Sequence, residues 1–83
     1  MENKEVIVYT KDGCVFCDKQ KNWLTEHSIH YTERNVEFPQ YRQELLDRKV
    51  TGVPYTILIL GDQQEVNIEG FDVNKLERVL LGE

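Results

Sequence analysis

Val6-Ile7-Val8-Tyr9-Thr10-Lys11-Asp12-Gly13-Cys14-Val15-Phe16-Cys17 is the stretch on which the fold turns. Val6 to Tyr9 is a short apolar, β-branched run of the kind that forms a buried strand. Lys11-Asp12-Gly13, after Thr10, is turn-prone and closes that strand with a loop. From Cys14 to about His27 there is no Gly or Pro, and Cys17, Gln20, Trp23, Leu24 and His27 recur at spacings of three and four. A helix therefore begins near the cysteines, and the pair sits on its first turn.

Reading outward, His30 to Val36 alternates loosely and predicts a weaker, edge-side strand. Pro39 suits the first turn of a second helix, to which Phe38, Tyr41, Leu45, Leu46 and Val50 give one apolar face before Gly52 ends it. Tyr55 to Leu60 is the most strand-like run in the chain. Gly61-Asp62 turns it, and Glu65 to Glu69 returns with Val66 and Ile68 pointing one way, which makes a hairpin. After Gly70, Asp72 can cap a last helix that carries Val73, Leu76, Val79 and Leu80 on one face, with Gly82 beyond its end. The order βαβαββα describes an α/β unit, a four-stranded mixed sheet flanked by three helices, with the first two strands parallel and the last two antiparallel. In open sheets of this kind functional groups gather beyond the carboxyl ends of the parallel strands, where Lys11 to Cys14 lies.

Eighty-three residues are expected to form a single domain, 1–83, with no material for a second core. With 40% apolar and 30% charged residues the chain can fold, yet it is too small for a large multi-pocket enzyme. The net charge of −5 repels phosphate backbones and anionic lipid, so neither nucleic acid nor a membrane is expected as a partner. Met1 to Glu5 lacks the long apolar stretch of a signal peptide, and the chain reads as cytoplasmic. In such a reducing compartment a Cys-x-x-Cys pair is more often catalytic or metal-binding than a staple.

Thiolate is the reactive form of cysteine, and an ordinary thiol with a pKa of about 8.5 must shift by roughly 1.5 units, about 2 kcal/mol, to be half ionised at pH 7. The unpaired N–H groups at a helix start supply ~0.3–1 kcal/mol, and up to ~2 in partly buried geometry, at the position of Cys14. Lys11 adds to this, whereas Asp12 and Asp18 oppose it. Cys14 is therefore expected to have the lower pKa, and Cys17, about one turn in, to be more buried and to keep its proton longer. Other readings compete. A structural disulfide closing so small a loop stabilises by only ~2 kcal/mol. Zinc has four ligands in order in Cys14, Cys17, His27 and His30, but nine residues separate Cys17 from His27 and two separate the histidines, where zinc fingers have different intervals. On one helix, His27 would lie roughly 15 Å from Cys17. No metal ligands are therefore assigned.

The strand Val6 to Thr10, Gly13-Cys14-Val15-Phe16-Cys17 opening a helix, Gly52-Val53-Pro54 starting a strand, and Gly70-Phe71-Asp72 before the last helix together resemble the glutaredoxin family of the thioredoxin fold. The resemblance covers nearly the whole chain. It implies a thiol-disulfide oxidoreductase with Cys14 as nucleophile and Cys17 as resolving thiol. It also implies a cis peptide at Pro54, with the backbone of Val53 pairing with an extended substrate segment. Lys11 resembles the lysine that approaches a glutathione carboxylate, and Asp72 the residue at its γ-glutamyl end. This implies glutathione as co-substrate, disulfide-containing proteins as partners, a monomer, and no tightly bound cofactor. Glu69-Gly70 in place of a double glycine, Phe71, Val15 and Phe16 depart from the common glutaredoxin pattern. Gly70-Phe71, Asn35-Val36-Glu37 and Val15 are similar to the glutaredoxin-like redoxins that thioredoxin reductase reduces and that feed ribonucleotide reductase. A different class of reading remains: a module binding zinc, or an iron–sulfur cluster shared between two chains.

Val15 and Phe16 are expected to be exposed apolar contacts beside the nucleophile, suited to docking substrate. Trp23 and Leu24 read as helix packing, Lys21 as solvated, and Tyr9, Tyr31, Tyr41 and Tyr55 as core or half-buried residues. Glu2 to Glu5 reads as a frayed start.

Overall fold

The structure, a computed structural model, describes residues 4–82. Along the chain it contains β1 (Glu5–Thr10), α1 (Val15–Glu26), β2 (Thr32–Asn35), α2 (Pro39–Asp47), β3 (Tyr55–Ile59), β4 (Glu65–Glu69) and α3 (Val73–Leu80). The sheet order is β2-β1-β3-β4. β1 runs parallel to β2 and antiparallel to β3, and β3 and β4 form the antiparallel hairpin. This is the expected mixed sheet, with β2 at an edge.

β1 lies in the middle of the sheet and is buried on both faces, which explains its unbroken apolar run. Its even residues Val6 and Val8 join Trp23, Leu24, Leu58, Ile68 and Leu76 in one core. Ile7 and Tyr9 point the other way and pack with Leu45, Tyr55 and Ile57. α1 and α3 thus cover one face of the sheet and α2 the other. Tyr9 and Tyr55 are buried and Tyr31 and Tyr41 half-buried, as expected. The Tyr9 hydroxyl donates to Glu44 Oε1 (2.7 Å) and accepts from Arg34 (3.0 Å), fastening β1 to β2 and α2. Burial, followed by the Glu44 hydrogen bond, pushes the Tyr9 hydroxyl above its ordinary pKa.

Several sequence expectations need correction. α2 stops at Asp47 rather than running on to Gly52, and of its expected apolar face only Leu45 is buried; Phe38 is 61% and Leu46 54% exposed. The reason lies in the helix end. Lys49 N–H donates to the Leu46 carbonyl and Val50 N–H to the Leu45 carbonyl, a Schellman ending with Lys49 in the left-handed region at φ 61°. α1 ends the same way, with Ser28 at φ 58° and Ile29 N–H donating to the Leu24 carbonyl. His27, expected on the apolar face, is instead its exposed C-cap. Its ring lies on that of Trp23 with centroids 4.0 Å apart, and its Nδ1 is 2.8 Å from the Trp23 carbonyl oxygen. β2 is shorter than His30 to Val36. Glu5, read as part of a frayed start, is the first residue of β1, opposite Ile59; the rest of that reading falls mainly on residues 2 and 3, outside the described residues.

Candidate active site

Asp12 and Gly13 form the corner between β1 and α1. Cys14 N–H donates to the Lys11 carbonyl (3.3 Å), and Gly13 holds φ +76°, the value that a type II turn needs at its third residue. A side chain at Gly13 would meet no other atom within 4 Å, so the requirement there is conformational rather than steric. The turn delivers Cys14 as the N-cap of α1, in extended conformation, with its side chain accepting a hydrogen bond from the Cys17 N–H (3.1 Å). A first-turn amide, which has no partner within the helix, is therefore aimed at the Cys14 sulfur. Cys14 is half-buried and Cys17 fully buried, and the two are joined as a disulfide with Cα atoms 5.2 Å apart.

The two acidic side chains of the corner, Asp12 and Asp18, each have a polar partner. Asp12 Oδ1 accepts from Asn35 Nδ2 (2.9 Å), and Asp18, 70% exposed, lies 3.8 Å from Lys21 Nζ. Lys21, expected to be solvated, is half-buried and bonded to Glu33 Oε2 at 3.0 Å. The same carboxylate oxygen accepts from the buried Thr10 hydroxyl at 2.6 Å. The Thr10 hydroxyl, then the Lys21 ammonium, hold Glu33 below its ordinary pKa, and Glu33 in turn holds Lys21 above its own. This network ties the last residue of β1 to β2 and α1, immediately before the loop that carries Cys14.

The Val53–Pro54 peptide is cis, and Cys14 Sγ lies 4.0 Å from the Val53 carbonyl oxygen. Pro54 is buried, and its carbonyl accepts from Gly70 N–H (2.8 Å), which draws the start of the β4–α3 connection beside it. Val53 is shared by two hollows. One, of about 480 Å³, is lined by Lys11, Val36, Arg42, Leu46 and Thr51 among others. The other, of about 370 Å³, includes Gly52, Glu69 and Gly70. Val15 and Phe16 stand exposed at 63% and 57% next to Cys14, with Lys19 Nζ 5.5 Å from the Phe16 ring. Lys11 thus lies in the loop that carries Cys14 and shares a hollow with Val53, while Gly70 is bonded to Pro54, the residue after Val53. Phe71 and Asp72 also have structural work. Phe71 is half-buried against the α1/α3 core, and Asp72 Oδ1 caps α3 by accepting from Lys75 N–H (3.1 Å).

The glutaredoxin family model matches residues 6–63. The chain belongs to the glutaredoxin family. The glutaredoxin-like protein NrdH of Lactococcus lactis subsp. cremoris is 34% identical over 50 residues, which are 59% of this chain and 69% of that protein. The global transcriptional regulator Spx of Staphylococcus aureus is 52% identical over 31 residues, 37% of this chain, and this chain spans about a quarter (24%) of its length. Among solved structures, the thioredoxin-like protein BC3987 superposes with a TM-score of 0.72 at 28% identity, covering 89% of this chain and 97% of that one. NrdH-redoxin from Escherichia coli superposes with a TM-score of 0.73 at 22% identity, covering 90% and 93%. The fold is the thioredoxin fold, and the chemistry of this glutaredoxin-family chain is thiol-disulfide exchange.

Sequence reasoning overlooked the buried polar groups of this glutaredoxin-family site. Thr10, Gln20 and Thr56 are at most 1% exposed, and Gln20 Nε2 donates to Thr56 Oγ1 beneath the cysteine helix. The available signal was a polar Gln20 at an apolar position of the α1 pattern. Among the described residues, no three His, Cys, Asp or Glu side chains gather where they could hold a metal ion. No described helix is long and apolar enough to cross a membrane.

Proposed function

We propose that this chain is a dithiol redoxin that reduces protein disulfides and glutathione mixed disulfides, with glutathione as its own reductant. Cys14 is the nucleophile: its thiolate attacks one sulfur of the substrate disulfide, the other sulfur leaves as a thiolate, and a mixed disulfide on Cys14 results. Cys17 loses its proton and attacks Cys14 Sγ, releasing the second substrate thiol and forming the Cys14–Cys17 disulfide. Two glutathione thiols then restore the dithiol and leave as glutathione disulfide. The observation that carries this reading is the asymmetry of the pair. Cys14 is half-buried at a helix start with an amide donating to its sulfur, whereas Cys17 is fully buried. Only the first sulfur can meet another molecule.

In this reading the substrate segment lies along Val53 in extended form, with Val15 and Phe16 against its apolar side chains. Lys11 and Arg42 in the larger hollow face a glutathione carboxylate, Asp72 faces its ammonium, and Pro54, Gly70 and Phe71 shape the wall between them. A second reading, in which thioredoxin reductase is the donor and ribonucleotide reductase the acceptor, is favoured by the likeness to NrdH and to the NrdH-redoxin described as having a thioredoxin-like activity profile. The two part in one experiment. Oxidised protein is offered NADPH with glutathione and glutathione reductase in one cuvette, and NADPH with thioredoxin reductase in another. NADPH consumption in the first supports the glutathione reading, and consumption confined to the second replaces it.

A further inference from the structure

Gln20 is fully buried, an uncommon place for a primary amide. It lies one turn beyond Cys17 on the buried face of α1, and helical side chains lean back toward the N-terminus, which directs Gln20 toward the turn of Cys17. Its Nε2 donates to the hydroxyl of Thr56, itself fully buried on β3 two residues after Pro54. Its Oε1 has no donor among the described residues. A buried carbonyl in that condition bears the desolvation penalty of an acceptor with nothing to accept, and calls for an explanation.

The redox state supplies one. With Cys14 and Cys17 bonded to each other, neither sulfur carries a proton. Reduction adds two electrons and two protons, breaks the S–S bond and leaves Cys17 with a buried S–H on the same helix face as Gln20. We propose that Gln20 Oε1 accepts this S–H in the dithiol form, which makes Gln20 a positioning residue that favours the reduced protein and raises its reduction potential. It also keeps the resolving thiol protonated until Cys14 has reacted. The proposal rests on the redox reading above, since it requires the pair to cycle.

The test is the dithiol–disulfide equilibrium in glutathione redox buffers, for wild type and Gln20→Met. Methionine fills similar space and can neither accept this bond strongly nor be orphaned without it. The equilibrium shifts about tenfold toward the disulfide in the variant, the worth of one hydrogen bond made in only one state, or ~30 mV toward more negative potential. A purely structural role would lower the urea stability of both redox states alike and leave the equilibrium in place; an unmoved equilibrium, or a shift toward the dithiol, overturns the proposal. If the variant does not fold, the wild-type protein still decides. The Gln20 side-chain carbonyl ¹³C resonance moves downfield on reduction and does not move when Cys17→Ala is treated with the same reductant, and a resonance indifferent to reduction overturns the proposal. A wild-type pair that takes up no electrons at any buffer ratio sinks the redox reading together with this one, whereas a cycling pair with an unmoved equilibrium sinks this one alone.

Discussion

Asp72 is assigned two tasks, capping α3 and meeting the ammonium of glutathione, and two substitutions separate them. Asp72→Ala removes the 3.1 Å hydrogen bond from Lys75 N–H and the negative charge at the helix start. The cap is worth ~0.5–2 kcal/mol and the charge a further ~0.3–1. α3 closes one core through fully buried Leu76, with Val73, Val79 and Leu80 packed around it, so its fraying is felt by the whole domain. A loss of about 1–2 kcal/mol is expected, and in a domain of this size each kcal/mol lowers Tm by about 4–8 °C. Asp72→Asn keeps a side-chain oxygen for the cap, and Asn and Asp rank together as N-caps, so about half or more of that stability returns. The proposed ion pair with glutathione does not return. Its exposed position makes it worth ~0.2–1 kcal/mol, so kcat/KM for a glutathionylated peptide falls by up to about fivefold in both variants. Urea unfolding at pH 7 and a coupled turnover assay read the two effects separately. Equal destabilisation by Ala and Asn refutes the capping argument. Unchanged kcat/KM in Asp72→Asn refutes the glutathione contact and leaves Asp72 a structural residue.

Glu33 binds its proton less tightly in the folded protein than at its ordinary value of 4.5, because Thr10 and then Lys21 hold the carboxylate. Its contribution is thus complete above that value and is lost as the pH falls through the lower folded one. Urea titrations are expected to show Glu33→Gln less stable than wild type at pH 7, with the difference shrinking below pH 4.5; a constant difference contradicts the network. Lys49→Gly relieves a left-handed residue costing ~1–2 kcal/mol, offset by the ~0.5–1 kcal/mol that glycine loses on ordering, so a gain of about 0.5 kcal/mol is expected in urea unfolding. A loss there would mean that the Lys49 side chain contributes more than its backbone costs.

The cysteine corner was legible because its signals are local and agree: an apolar run, a turn ending in Gly13, and a helix free of Gly and Pro that starts at the cysteines. β3 and β4 were legible for the same reason, with Gly61-Asp62 between a nearly continuous apolar run and an alternating one. The end of α1 near His27 was legible too, but the end of α2 was not, since Lys49 occupies a left-handed position where a glycine would have announced the stop. The apolar face of α2 was overread because five apolar residues at helical spacing do not reveal how wide a patch of sheet awaits them. The core there takes Leu45 and leaves Phe38 and Leu46 in solvent. The buried polar groups were hidden for another reason. Thr10 finds Glu33, and Gln20 finds Thr56, across 23 and 36 residues of chain, distances at which no spacing rule operates.

At the centre of the account stands the claim that the helix start acidifies Cys14 and leaves Cys17 alone. Alkylation of the reduced protein by iodoacetamide from pH 5 to 10, with the labelled site identified by mass spectrometry, measures it directly. The account predicts that Cys14 reacts first, with a midpoint below the ~8.5 of an ordinary thiol, while Cys17 stays unlabelled until higher pH. A Cys14 midpoint at the ordinary value, or labelling of Cys17 before Cys14, contradicts it.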